Sequence, residues 1–201
     1  KNKVKWNGYY GKYSPKGLKK AYKNNVGNVA DINLMLTAML RSAGLNADPV
    51  LISSRGNGVP LFPTLNGFDY VISAVQFPDN SYVLLDATEK YSIPNILPAR
   101  VLNWNGRIVT KAGTSSWIKL SSSKQASEEN MVMIKISDDL MIDGFIRTKY
   151  NNLNALNFRK NNNHLKDDEL ITKYEENNNI EIEDFKIINQ EKLNKPVIRN
   201  V

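Results

Sequence analysis

The feature that most constrains the fold is one long run of helix-forming residues that begins near Val29 and stops at Gly44. Its apolar side chains recur every three or four residues, as on one face of an α-helix: Ile32, Met35, Leu36, Met39, Leu40 and Ala43. Leu34 and Ala38 widen this stripe, so we expect the helix to be buried on most of its sides. A shorter helix is predicted over residues 15–25.

Strand-like segments separated by turns follow the long helix. They span residues 49–54, 68–77, 81–88, 106–111 and 116–120. The turn Pro78-Asp79-Asn80 predicts an antiparallel hairpin. A buried helix followed by antiparallel strands is typical of an α+β fold. We therefore predict an α+β domain over residues 1–120, with the helix packed on an antiparallel sheet and a basic N-terminal arm.

A second, smaller unit is predicted after a polar, turn-rich linker at residues 121–130. It covers residues 131–201 and is expected to be a β-rich α+β unit. Two strands form a hairpin at 131–136 and 141–148, and further elements follow: helices at 152–160 and 166–177, a strand at 180–189 and a last strand in KPVIRNV. This is a thin core for an independent domain, so we expect the unit to be incomplete and to continue beyond Val201.

Composition excludes several kinds of chemistry. The chain has no cysteine and one histidine, which rules out disulfides, thiolate metal sites, cysteine nucleophiles and paired-histidine metal sites. A Ser-His-Asp triad would depend on His164, which lies in a polar stretch and is expected at the surface. No apolar run is long enough for a membrane span. No cofactor or metal is expected.

Lysines are concentrated at the start of the chain. The first 23 residues hold eight lysines and no acidic residue, and the whole chain has a net charge of +7. Such a segment is either a solvated surface or a binding site for an anionic polymer. It contains no arginine, which is the better phosphate ligand, so nucleic acid is not expected as a partner.

The order of the motifs resembles the transglutaminase-like superfamily, in its bacterial branch of multi-domain exported proteins. The resemblance covers about residues 24–110 and rests on GNVADIN, LMLTAMLRSAGL, NADPVLISSR, FDYVISAV, YVLLDATEKY and ILPARVLNW. It implies a papain-like core, followed by a small β-rich domain. It also implies that the chain is a fragment of a protein in the bacterial periplasm or cell envelope, whose neighbouring domains are its partners.

The same resemblance implies a Cys-His-Asp triad with two members replaced. Val29 occupies the cysteine position in Gly27-Asn28-Val29-Ala30-Asp31, and Tyr70 occupies the histidine position in Phe68-Asp69-Tyr70. Asp86 keeps the aspartate position. Valine has no lone pair or ionisable proton, and tyrosine, with a pKa near 10, is a poor base at neutral pH. No catalytic residue is therefore expected, and a hydrogen bond from Tyr70 to Asp86 is the predicted remnant.

Five residues are candidate binding residues: Asp31, Tyr70, Asp86, Trp104 and Trp6. Asp31 either caps the helix or joins Asp69 and Asp86 in a carboxylate cluster for a hard cation. Trp104 either lines the former active-site groove or covers a sheet edge. Trp6, with its neighbouring tyrosines, either stacks on sugars or bases or packs on the core.

Three functions follow from these observations. The first is a catalytically inactive binding or structural module with a peptide or glycan ligand. The second is an amide-hydrolysing or acyl-transferring enzyme with a non-standard nucleophile, for which Ser53, Ser54 and Thr64 are the nearest hydroxyls. The third is binding of anionic polymers by the lysine-rich N-terminal segment.

Overall fold

The computed structural model describes residues 3–122 and 124–201, and the chain divides into two compact units at Ser123. Unit 1 ends there, and unit 2 begins at Lys124. The elements of unit 1 are two helices and seven strands: α1 (Leu18–Asn24), α2 (Val29–Ser42), β1 (Lys5–Trp6), β2 (Val26–Gly27), β3 (Ala47–Ile52), β4 (Tyr70–Gln76), β5 (Tyr82–Leu85), β6 (Asn105–Val109) and β7 (Ser115–Lys119).

Five strands of unit 1 form one antiparallel sheet in the order β5-β4-β3-β6-β7. In the central strand, Val50 pairs with Ile72 of β4 on one side and with Ile108 of β6 on the other. The α+β class and all five predicted strands are confirmed, with small shifts at their ends. Strand β5 ends at Leu85 rather than 88, because the Asp86 side chain accepts a hydrogen bond from the Thr88 amide and turns the chain.

Helix α2 packs on β4, but not through its apolar stripe. Asn33 and Thr37 are buried against the sheet, where Asn33 donates to the Val71 carbonyl and Thr37 contacts Ser73 at 2.8 Å. Met39 stays 63% exposed. The expectation that α2 is buried on most sides is therefore wrong, since hydrogen bonds to β4 favour the polar side of the helix at this interface.

Unit 2 is built on a four-stranded antiparallel sheet in the order β10-β11-β9-β8. Its elements are two helices and four strands: β8 (Ser127–Ile136), β9 (Ile142–Asn151), α3 (Leu153–Asn162), α4 (Asp167–Asn178), β10 (Lys186–Ile188) and β11 (Val197–Asn200). The hairpin, both helices and the last strand are confirmed.

Two boundaries in unit 2 differ from those predicted. Residues 127–130, predicted as linker, belong to β8, where Ser127 and Glu129 accept hydrogen bonds from the Asn151 side chain across the strand pair. The predicted strand at 180–189 is reduced to β10. Its first half is held instead by a hydrogen bond from the Ile182 amide to the Glu175 side chain of α4.

The core of unit 2 is small and includes a buried arginine. Ala155, Phe158 and Val197 form the apolar cluster. Arg159 is 1% exposed and donates to four backbone carbonyls between residues 189 and 195, at 2.8–3.0 Å. These hydrogen bonds satisfy the buried guanidinium, and burial lowers its pKa. The arginine therefore organises the loop that leads into β11.

The hairpin formed by β8 and β9 leaves its apolar side chains largely exposed. Eight of them are 46–81% exposed: Met131, Val132, Met133, Ile134, Ile136, Leu140, Met141 and Ile142. Strand β8 is also an edge of the sheet. The hairpin thus adds little to the core of unit 2. In the part of the chain that the structure describes, no helix is long and apolar enough to cross a membrane.

Candidate functional site

The three positions of the proposed remnant triad lie at the ends of adjacent elements. Val29 is the first residue of α2, Tyr70 the first residue of β4, and Asp86 follows β5 directly. Because β4 pairs with β5 and packs against α2, these ends meet. Val29 and Tyr70 are 0% exposed and Asp86 is 2% exposed. The Tyr70 hydroxyl donates to Asp86 Oδ2 at 2.8 Å, which is the predicted contact.

The Asp86 carboxylate is the centre of a buried hydrogen-bond network. Its Oδ1 accepts from Asn33 Nδ2 at 3.0 Å, from the Thr88 amide at 2.9 Å and from Thr88 Oγ1 at 2.6 Å. Asn33 also accepts a hydrogen bond from the Ala87 amide at 2.8 Å. These donors come from two parts of the chain, helix α2 and the two residues that follow Asp86. Asp86 therefore ties α2 to the end of β5 and the turn after it.

Arg100 completes this network from the opposite side. Its Nε donates to the Tyr70 hydroxyl at 3.2 Å, and its Nη1 donates to Glu89 Oε2 at 3.1 Å. Its Nη2 donates to Thr88 Oγ1 at 3.1 Å and lies 3.7 Å from Asp86 Oδ2. The guanidinium thus pairs with two buried carboxylates, and these opposite charges offset the cost of removing one another from water.

Protonation in this network is biased against base chemistry. Burial, and then the negative charge of Asp86, raise the pKa of Tyr70 far above its usual value, although Arg100 opposes this. Burial alone would lower the pKa of Arg100, but Tyr70, Asp86 and Glu89 raise it overall. At neutral pH the phenol is therefore protonated and the guanidinium is charged, and neither group can accept a proton from a nucleophile.

The N-terminal segment covers the start of α2 and the Tyr70 ring. Tyr10 contacts Tyr70 edge to face at 5.1 Å, and Trp6 stacks on Tyr10 at 5.9 Å. The Arg100 guanidinium lies 4.8 Å from the centre of the Trp6 ring. Backbone amides at a helix N-terminus can bind an anion. Here the Val29 amide donates instead to the Tyr9 carbonyl at 3.2 Å. Trp6 therefore packs on the core, as one of its two readings expected.

The three aspartates considered as a cation site have separate structural partners. Asp31 forms a capping box with Asn28, accepting from its amide at 2.9 Å, so its expected capping role is confirmed. Asp69 accepts from the amide and the hydroxyl of Ser54, both at 2.6 Å. Among the described residues, no group of three or more histidine, cysteine or acidic side chains is placed to hold a metal.

Two of the hydroxyls considered as replacement nucleophiles, those of Ser53 and Ser54, are buried and hydrogen-bonded. Ser53 Oγ donates to the Gly58 carbonyl at 2.7 Å, and Ser54 Oγ donates to Asp69. The one histidine, His164, lies in unit 2 between α3 and α4. The serines therefore lack the imidazole partner that activates a serine nucleophile within unit 1.

Trp104 lies beside the sheet edge rather than at the triad positions. Its ring is 48% exposed and contacts Trp117 of the edge strand β7 at 5.7 Å. It lines an open cavity of about 550 Å³ whose other walls include Arg55 and Lys119 but none of the triad positions. Of the two roles expected for Trp104, cover of a sheet edge agrees with its contact with Trp117.

Sequence reasoning missed three members of the network: Asn33, Glu89 and Arg100. Asn33 follows Val29 by four residues, so helical spacing places both on one face of α2 and could have indicated it. Glu89 follows Asp86 closely. Nothing in the sequence links Arg100 to Tyr70, because they are 30 residues apart and meet only through the fold.

Comparisons with known proteins give no family assignment. Neither the protein-family models, nor the curated proteins, nor the solved structures include a match to this chain. The family resemblance therefore rests on the sequence motifs alone.

Proposed function

We propose that unit 1 is a catalytically inactive transglutaminase-like domain with a papain-like core. In this proposal it acts as a binding or structural module of a larger bacterial envelope protein, whose neighbouring domains are its partners. The observation that carries the proposal is the closed state of the remnant site. Val29 and Tyr70 have no exposed surface, Tyr10 packs on the Tyr70 ring, and Trp6 stacks on Tyr10.

The hydrogen bonds of the site favour a structural role. Tyr70, Asp86 and Arg100 satisfy one another, and a protonated phenol replaces the base that an acyl-transfer reaction needs. A cleft that bound a peptide or glycan here would have to displace the N-terminal segment. The network thus stabilises the junction of α2, β4 and the residues after β5 in place of catalysis.

Closure of the site is testable with a single introduced thiol, because the chain has no cysteine. Val29→Cys places a thiol at the start of α2, and Val26→Cys is the matched control on β2, where the valine is 44% exposed. We expect a disulfide reagent to label Cys at position 26 at least about tenfold faster, since labelling at 29 requires local opening. Equal rates would show an open cleft.

The enzymatic alternative is tested on the unmodified chain. Incubation with a mixture of amide and ester substrates is expected to give no turnover above buffer. Turnover that is lost in Ser54→Ala would refute the inactive-module proposal and identify the non-standard nucleophile. Ser81→Ala is the control, because that serine bonds only within an exposed turn.

A further inference from the structure

A groove in unit 1 is lined by the apolar stripe of α2. It has a volume of about 360 Å³ and lies between α1, α2, the N-terminal residues and the segment after β5. Ile32 and Val4 are its most buried apolar lining residues, at 6% and 8% exposure. Met35, Leu36 and Met39 line it along α2. This stripe is the one that sequence periodicity assigned to the core.

The groove is a property of how α2 is oriented. The helix presents Asn33 and Thr37 to the sheet, so its apolar residues are left on the far side. Apolar side chains that line a concave surface without covering one another are typical of ligand sites, and the volume lies in the range of small-molecule pockets. Asp86 is also a lining residue, but its side chain has no exposed surface. Its carboxylate is therefore closed to a ligand.

The exposed charge in the lining of the groove is positive. Lys3 is a lining residue, and its ammonium group lies 5.2 Å from the ring centre of Tyr22 on α1. Helix α1 also carries Lys19, Lys20 and Lys23 and no acidic residue. A ligand that suits both features has an apolar body and an anionic end.

We propose that this groove binds a single-chain amphiphile with an anionic head group, of the fatty-acid class. The alkyl chain lies against Met35, Leu36 and Met39, and the carboxylate lies near Lys3. Binding here does not involve Val29 or Tyr70. It is therefore independent of the proposed function and survives or fails separately from it.

Methionine methyl groups provide the test. The chain has five methionines, of which Met35 and Met39 line the groove. The other three, Met131, Met133 and Met141, lie on the exposed hairpin of unit 2. The full chain is labelled at the methionine methyl carbons and titrated with dodecanoate below its micelle concentration. We expect the signals of Met35 and Met39 to shift and to saturate together, with the hairpin signals unchanged. Shifts confined to the hairpin, or none, would overturn the proposal.

Two comparators test the head group. Dodecyltrimethylammonium has the same alkyl length with the opposite charge, and we expect it to bind more weakly than dodecanoate. Lys3→Glu is expected to weaken dodecanoate binding about 3- to 10-fold, as reversal of one exposed charge allows. Lys5→Glu makes the same change in net charge at an exposed lysine outside the groove and should change the affinity less than about twofold. Equal affinity for both amphiphiles would refute the proposal that the groove selects an anionic head group.

A blocking variant tests the location. Met39→Arg puts a charged side chain at the rim, where the methionine is 63% exposed, so the fold should tolerate it. We expect it to weaken dodecanoate binding at least about tenfold, because the alkyl chain would desolvate the arginine. Leu45→Arg, at a 44% exposed leucine outside the groove, is the control. Unchanged dodecanoate binding by Met39→Arg would contradict the proposed location of the ligand.

Discussion

Removal of the Tyr70 hydroxyl tests whether the network of Tyr70, Asp86 and Arg100 stabilises unit 1. This hydroxyl donates to Asp86 at 2.8 Å, contacts Thr88 Oγ1 at 2.7 Å and accepts from Arg100 at 3.2 Å. Tyr70→Phe keeps the buried ring and its contact with Tyr10. Hydrogen bonds to charged groups contribute about 1.5–3 kcal/mol each, but Asp86 keeps its bonds from Asn33 and Thr88. We therefore expect unit 1 to lose about 2–3 kcal/mol of unfolding free energy.

Tryptophan fluorescence in urea isolates this effect. All three tryptophans, Trp6, Trp104 and Trp117, lie in unit 1, so their signal follows the unfolding of that unit alone. Tyr9→Phe is the matched control, because Tyr9 is 73% exposed, and it should change the free energy by less than about 0.5 kcal/mol. If Tyr70→Phe is as stable as this control, or more stable than the parent chain, the argument for a stabilising network is wrong.

Three further outcomes follow from the same structure. Because burial raises the pKa of Tyr70, the folded chain keeps the phenol proton that the unfolded chain loses above about pH 10. The contribution of this hydroxyl to stability is therefore full below that pH and falls above it. The difference in unfolding free energy between the parent chain and Tyr70→Phe should be smaller in a urea titration at pH 11 than in one at pH 9. Arg159→Lys removes part of the guanidinium fork and should destabilise unit 2 by about 2–4 kcal/mol, seen as faster hydrogen exchange in β10 and β11 but not in β3. Ile134→Lys, on the exposed edge strand β8, should reduce any concentration-dependent association in sedimentation, whereas Ile180→Lys, outside the hairpin, should not.

Periodicity and turn residues predicted most elements of the fold. The apolar runs of β3 to β5 and the Pro78-Asp79-Asn80 turn predict antiparallel pairing, because β3 pairs with β4 and β4 pairs with β5, in each case the next strand in sequence. The orientation of α2 was not predictable in this way. Asn33 and Thr37 are suitable for the interior only because β4 offers them a carbonyl and a hydroxyl, and those partners come from another part of the chain.

The candidate site was likewise predicted only in part. The Tyr70–Asp86 hydrogen bond was predicted from motif positions on adjacent strands. Arg100 and its pairing with Glu89 were not, because an arginine in a loop carries no periodic signal and finds its partners only after the sheet forms. Similarly, the run MVMIKI predicts a strand but not which face is covered, since apolar residues occupy both faces of it.

The central position of β11 has a consequence for the order in which unit 2 is made. Strand β11 pairs with β9 on one side and β10 on the other, yet it follows both of them in sequence. The β8–β9 hairpin, complete at Asn151, leaves the ribosome roughly 3–10 s earlier at usual elongation rates. During that interval the edge of β9 that later pairs with β11 has no partner strand. The charged residues Lys135, Asp138, Asp139 and Asp143 lie at or near the tip of the hairpin, and charges that flank an apolar strand disfavour its pairing with another chain.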